Sequence, residues 1–292
     1  MRLSEECRSG EKVAYFVTFS FSPEALCELG HEIIYNVNEA LEEINDDKEH
    51  NRMKAKKTGY GMDNSICTLA MRRFLERWRR RHKKSLKHWF VNEIGGTNTE
   101  RVHMHGIVWT NEPVEMLEKV WNSGKDYKYG NVWIGEYVNE RTVNYIVKYL
   151  HKPDKKHSEF VPKVLCSPGL GSGYIQREDF KNNKYKPDGK TEEMYRTRIG
   201  LKTSLPIYYR NHRYSEEQRE LLWLEKLDKQ IRYVDGVKID ISEGEEMYYK
   251  ALKEAQRKNL EYGYPEGKID WSTKKYEEER RGLGRKRERR KK

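Results

Sequence analysis

Arg101-Val102-His103-Met104-His105-Gly106-Ile107-Val108-Trp109 is the stretch from which the rest of the chain is best read. Its β-branched and aromatic residues predict a strand. Side chains alternate between faces along a strand, so His103 and His105 project to one face and Met104 to the other. Two imidazoles about 7 Å apart on one face can share a single metal ion. The run Lys87-His88-Trp89-Phe90-Val91-Asn92-Glu93-Ile94 precedes it across Gly95-Gly96-Thr97-Asn98-Thr99. Pairing of the two runs as a hairpin brings Glu93 up to His103 near the loop end. The result is a candidate metal trio of two histidines and a carboxylate.

Immediately before this hairpin the spacing predicts a strong helix. Asp63, Asn64 or Ser65 caps it, and Ile66, Ala70, Phe74 and Trp78 repeat every fourth residue with Met71 and Leu75 beside them. Its other faces carry Arg72, Arg73, Arg77, Arg79, Arg80 and Arg81, with Glu76 as the sole acid. A solvated face is the ordinary explanation of a charge run. Cations this poorly neutralised repel one another, however, and a phosphate backbone is their natural partner. Further upstream, Val13 to Phe21 reads as a strand ended by Pro23, and residues 30–62 as an irregular insertion with a short helix over Val37 to Ile44.

Downstream, Asn111-Glu112-Pro113 opens a helix closed by Gly124, and Val132 to Val138 reads as a further strand. Arg141 to Lys152 is the second informative element. On a helical wheel Val143, Ile146, Val147 and Leu150 gather on one side, while Tyr145 and Tyr149 lie roughly opposite beside Arg141, Lys148 and Lys152. Among 20 tyrosines the spacing alone says little. The position does more, since both lie off the apolar stripe, next to cations, shortly after the histidine strand. Phe160 to Tyr174 is a Gly-rich loop lacking Gly-Lys-Ser/Thr, which argues against a nucleotide-binding loop and leaves Ser167 as a hydroxyl for a phosphate. Leu201 to Arg210 is expected to be a terminal strand or extended segment. Beyond it, Ser215-Glu216-Glu217-Gln218 is a capping box, Asp235-Gly236 a turn, and residues 244–259 a charged helix.

Composition sets the outer bounds. The 292 residues carry a net charge of +11, of which Arg280 to Lys292 supply +8, so the basicity is largely that of a tail. Residues 271–292 are expected to be a disordered basic tail. Cys7, Cys27, Cys67 and Cys166 form no Cys-x-x-Cys pair, which argues against a zinc ribbon or a disulfide framework and suits a reducing compartment. No apolar run approaches the roughly 18 residues of a membrane span, and Met1 to Glu6 holds no signal core. A soluble protein with no membrane partner is expected.

These residues together resemble a known family. His103-Met104-His105-Gly106, after a strand bearing Glu93 and before Asn144-Tyr145-Ile146-Val147-Lys148-Tyr149 and Lys152, is similar to the HUH endonucleases that initiate rolling-circle replication. Within them the likeness is greatest to replication initiation proteins of gokushovirus-like microviruses. It takes in Phe16-Val17-Thr18-Phe19, Leu165-Cys166-Ser167-Pro168-Gly169-Leu170-Gly171 and Leu205-Pro206-Ile207-Tyr208-Tyr209, and so most of residues 10–212. The resemblance implies an α+β fold with a central antiparallel sheet of about five strands flanked by helices. The expected organisation is a nicking and joining domain over 1–212, a charged helical extension over 213–270, and the tail. It further implies Mg²⁺ or Mn²⁺ on His103, His105 and Glu93, with Tyr145, Tyr149 and Lys148 as catalytic residues. Expected DNA contacts are Arg72, Arg73, Arg77, Arg80, Arg81, Lys152 and Ser167. The implied reaction nicks single-stranded or supercoiled phage DNA at the origin in a host bacterial cytoplasm. It leaves a 5′-phosphotyrosine and a 3′-hydroxyl that primes synthesis, with host helicase and polymerase as partners.

Three other readings stay open at this level. A non-enzymatic DNA- or RNA-binding protein would use the basic helix and merely pack the histidines. A zinc hydrolase would use the same ligands and leave both tyrosines expendable. A plasmid or transposon HUH nickase would share the chemistry and differ in substrate.

Overall fold

The computed structural model describes residues 1–96, 100–124, 126–135, 138–151, 156–157, 159–197, 200, 202–234, 237–261 and 273–291, with backbone alone for 140, 148–151, 261, 273, 274, 276, 283, 286, 287, 290 and 291. Two compact units divide between Ser172 and Gly173.

The N-terminal unit runs α1 (Arg2–Arg8), β1 (Val13–Phe19), α2 (Pro23–Glu43), α3 (Asp47–Ala55), α4 (Gly59–His82), β2 (Lys87–Ile94), β3 (Val102–Thr110), α5 (Glu115–Trp121), β4 (Val132–Gly135), α6 (Glu140–His151) and β5 (Val164–Cys166). Its five strands form one antiparallel sheet in the order β4-β1-β3-β2-β5. The fold is therefore α+β, as expected.

Strand alternation sorts the apolar side chains into two cores. On one face Val17, Phe19, Phe90, Met104 and Val108 pack with Ala25, Leu29 and Ile33 of α2, Phe74 and Trp78 of α4, and Trp121 of α5. On the other, Phe16, Trp89, Val91, Ile107 and Trp109 pack with Leu3 of α1 and Val143 and Ile146 of α6. Gly106 has to be glycine, because a Cβ there would sit 2.0 Å from Cδ1 of Phe90.

Residues 30–62 depart from the expected irregular insertion. Ser22 caps α2 by accepting a hydrogen bond from the Ala25 amide, and Pro23 stands in its first turn, so the proline that ends the strand region also begins a helix. Ala25, Leu29, Ile33 and Val37 then recur every fourth residue and are all buried. α3 buries nothing and depends on its ends: Asp46 caps it, Asp47 and Glu49 lie in the first turn, and Arg52 and Lys54 in the last.

The fifth strand is also not the one expected. β5, three residues lying in the Gly-rich segment between Pro162 and Pro168, pairs with β2. Leu201 is outside the described residues, and Lys202 to Arg210 falls in the other unit. That unit holds a 3₁₀ turn (Ser172–Gln176), α7 (Glu178–Lys181), β6 (Met194–Arg196), β7 (Lys202–Ser204), α8 (Ile207–Arg213), α9 (Glu216–Asp228), β8 (Ile231–Val234), β9 (Val237–Asp240), α10 (Glu246–Glu261) and α11 (Thr273–Lys291). β6 and β7 form a small hairpin. Tyr174, Phe180, Tyr195, Tyr209, Tyr214 and Leu222 make one aromatic core, which ties residues 174–222 together across the expected boundary at 212.

The capping box at Ser215 and Gln218 is present. The turn expected at Asp235-Gly236 lies outside the described residues, between the paired β8 and β9.

The basic tail is corrected from disordered to helical over 273–291. Arg232 makes a forked pair with Glu277 (2.6 and 2.7 Å), Arg281 pairs with Asp228 (2.8 Å), and Arg280 lies 5.3 Å over the Trp223 ring. Gly284 lets Leu224 of α9 come within 2.6 Å of its Cβ position. These contacts offset self-repulsion that composition alone reads as fatal to a helix.

Candidate metal and nucleophile site

The β2–β3 register sets Glu93 directly opposite His103 and Val91 opposite His105. One ligand atom from each of Glu93, His103 and His105 lies within 4.8 Å of the others. The Glu93 Oε2 is 3.1 Å from Nε2 of His105 and 3.4 Å from Nε2 of His103. Each ring is held from behind. The Nδ1 of His105 is 2.9 Å from the Thr18 hydroxyl, and that of His103 is 3.3 Å from the Arg101 carbonyl oxygen. With Nδ1 donating to those oxygens, both Nε2 lone pairs face the carboxylate, which is the tautomer a metal requires.

Burial raises the Glu93 carboxyl, but hydrogen bonds from His103 and His105 and the attraction of their charge outweigh it and bring it down to about 2. Glu93 is thus held as an anion. Two nitrogens and one anionic oxygen in this cluster fit a divalent cation with open coordination positions.

α6 packs on the same sheet face as the trio. Asn139 starts it by accepting hydrogen bonds from the Arg141 and Thr142 amides at 2.8 and 3.1 Å. Val143 and Ile146 are buried against Phe16, Ile107 and Trp109, and Val147 packs against that core. Tyr145 is off this stripe, 52% exposed, with its ring centroid 6.3 Å from that of Phe16. Phe16 in turn stacks on His105 at 6.0 Å. Phe16 therefore touches both the candidate ligand and the candidate nucleophile. The side chains of Tyr149, Lys148 and Leu150, and the whole of Lys152, lie outside the described residues.

Thr18 and Phe16 have roles that residue reading missed. Both stand in the expected first strand, but only the pairing of Thr18 with His105 reveals them, and no local pattern announces which residues pair across strands.

The expected DNA contacts separate into groups. Arg77 is taken up inside the fold, donating to the Val120 and Trp121 carbonyls (3.1 Å each) at the C-terminal end of α5 and lying over the Tyr129 ring. Burial lowers its guanidinium below the usual range. Arg73 pairs with Glu32 of α2. Ser167 accepts from the His88 amide (3.0 Å), continuing the β2–β5 ladder. These three serve packing, a use the charge run conceals. Arg80 is exposed and pairs with Glu76, while Arg72 and Arg81 are exposed on α4. Arg72 lines a groove of about 380 Å³ together with Arg79 and His88.

Residues 47–154 match a family model of replication-associated proteins, the ORF2 group. The matched stretch contains Glu93, His103, His105, Tyr145 and Tyr149 and stops short of β1, so Thr18 and Phe16 fall outside it. This part of the chain therefore shares its pattern with replication-associated proteins. No curated protein and no solved structure matches the chain. Among the described residues no helix is long and apolar enough to cross a membrane.

Proposed function

We propose that the chain initiates rolling-circle replication by nicking and rejoining single-stranded DNA through a tyrosine. The observation that carries this reading is the Glu93–His103–His105 cluster on the sheet face that α6 covers, with Phe16 bridging His105 and Tyr145. Glu93, His103 and His105 would hold Mg²⁺ or Mn²⁺, which when bound polarises a phosphodiester. Thr18 and the Arg101 carbonyl fix the two rings. The Tyr145 oxygen attacks phosphorus, forming a P–O bond to the phenol and breaking the bond to the 3′ oxygen. The phenolic proton passes to solvent and the leaving oxygen takes one up. The products are a 5′-phosphotyrosine and a free 3′-hydroxyl. Because the ester is retained, the 3′-hydroxyl can reverse the step and reseal the strand. Tyr149, one helical turn further on, would perform a second cleavage while the first strand stays attached, with Lys148 between them to neutralise charge.

The match to a replication-associated family supports this reading and favours it over a zinc hydrolase, which has no use for the tyrosines. On this proposal the substrate is the single-stranded or supercoiled genome of a microvirus in a bacterial cytoplasm, and host helicase and polymerase take over from the 3′-hydroxyl. The test incubates the protein with single-stranded origin oligonucleotides and Mn²⁺ and looks for an adduct that survives SDS. Tyr145→Phe or Tyr149→Phe alone should reduce the adduct and the double change should abolish it. An adduct persisting in the double variant refutes the nucleophile assignment. Salt-sensitive binding that ignores EDTA and never becomes covalent would favour a non-enzymatic binding protein instead.

A further inference from the structure

We propose that Trp133 is a stacking platform for a nucleobase beside the scissile phosphate, making the β4 edge of the sheet a single-stranded nucleic-acid subsite. The proposal rests on the single-stranded DNA reading above and deepens it. Trp78, Trp89, Trp109 and Trp121 are all buried, whereas Trp133 is 59% exposed. It stands on the edge strand, opposite Thr18 in the β1–β4 register. Cross-strand partners share a face, so the indole lies on the side that carries His105.

The indole is also held in place. Two of its ring carbons come within 3.0 and 3.2 Å of where a Cβ on Gly135 would be, so the ring lies back along the strand over a residue with no side chain. It meets Phe16 edge-on at 5.7 Å, and Phe16 is the same ring that stacks on His105 and approaches Tyr145. Trp133 and His105 stand two strand spacings apart, about 10 Å, within reach of a nucleotide adjoining a phosphate at the trio. An aromatic fixed before binding loses little freedom when a base covers it, and every base offers a π-face. A duplex has its bases already stacked, so the subsite selects single strands.

The experiment scans 2-aminopurine through a single-stranded origin oligonucleotide and measures quenching and affinity in EDTA, so that no cleavage occurs. Wild type should quench the probe at one or two positions and Trp133→Ala should not. Affinity should fall about 5- to 150-fold in Trp133→Ala and be largely retained in Trp133→Phe. An abasic nucleotide at the quenched position should weaken wild type and leave Trp133→Ala unaffected, a result that a merely structural role does not produce. Mn²⁺ affinity measured by calorimetry should be unchanged in Trp133→Ala, which confirms an intact site. Quenching and affinity that survive Trp133→Ala overturn the subsite, and the nickase reading still stands if the SDS-resistant adduct forms. A wild-type protein that neither binds single strands nor forms the adduct overturns both.

Discussion

Thr18→Val is the substitution that most directly probes how the metal trio is built. Valine keeps the β-branched shape in a strand and removes only the oxygen that lies 2.9 Å from Nδ1 of His105. The His105 side chain is 12% exposed, so water cannot readily replace the lost partner. A lost hydrogen bond costs about 1 kcal/mol, and up to about 3 kcal/mol when a buried donor is left unpaired. Groups that orient a metal-ligating histidine are typically worth about 10- to 100-fold in metal affinity. The two ranges agree, since 1.4 kcal/mol is about tenfold. Titration calorimetry with Mn²⁺ should therefore show Thr18→Val weakened about 10- to 100-fold and Thr18→Ser close to wild type. In the nicking assay the half-saturating Mn²⁺ concentration should rise by the same factor, with the rate recovered at saturating metal. Thr18→Val binding Mn²⁺ as tightly as wild type would refute the claim that Thr18 orients the ring.

Four further outcomes follow from the same geometry. Glu93 has its carboxyl held at about 2, below the ordinary 4.5, so its pairing stabilises the metal-free fold above about pH 4.5 and is lost as pH falls toward 2; Glu93→Gln should flatten that limb in urea melts taken across this range. Arg77→Ala should destabilise by about 2 kcal/mol, because two helix-end carbonyls lose a charged donor, whereas Arg81→Ala should leave the urea midpoint unchanged and lower the salt slope of single-strand binding by about 0.7. Gly106→Ala should cost about 3 kcal/mol by denaturant titration, since the new methyl meets both the Phe90 ring and the Trp89 carbonyl. Glu277→Ala leaves Arg232 buried without its fork and should reduce helical circular dichroism along with a loss of about 3 kcal/mol.

The histidine strand, its hairpin partner and the α6 stripe were legible because each is fixed by a local period. Alternation of two puts His103 and His105 on one face, and a period near 3.6 separates Val143 and Ile146 from Tyr145. What stayed hidden was whatever depends on partners distant in sequence. Arg73 and Arg77 look like Arg72 and Arg81 in the chain, and only the placement of α2 and α5 reveals that the first two are internal. β5 has three residues, too few for any pattern, and it becomes a strand because β2 offers an open edge. α11 reads as solvated charge until Arg232, Asp228 and Trp223, all at least 45 residues away, supply its contacts. α2 is a different case. Its four-residue repeat was in plain view, and Pro23 obscured it by being read as the end of one element alone.

The placement of the site follows from the packing around it more than from the site itself. β3 presents Val102, Met104 and Val108 to the core beneath α2 and α4, and Ile107 and Trp109 to the core beneath α6. A slip of one residue would exchange the faces, driving both imidazoles against Phe74 and Trp78 and lifting Met104 and Val108 out of their core. Each large apolar side chain displaced in this way costs about 1.5–3 kcal/mol, several times the worth of any single hydrogen bond among Glu93, His103, His105 and Thr18. The register that sets Glu93 against His103 and Thr18 against His105 is thus enforced by residues with no part in the chemistry. The polar groups then need only choose a tautomer and an orientation. This is also why three ionisable side chains can converge on one half-buried point before any cation arrives.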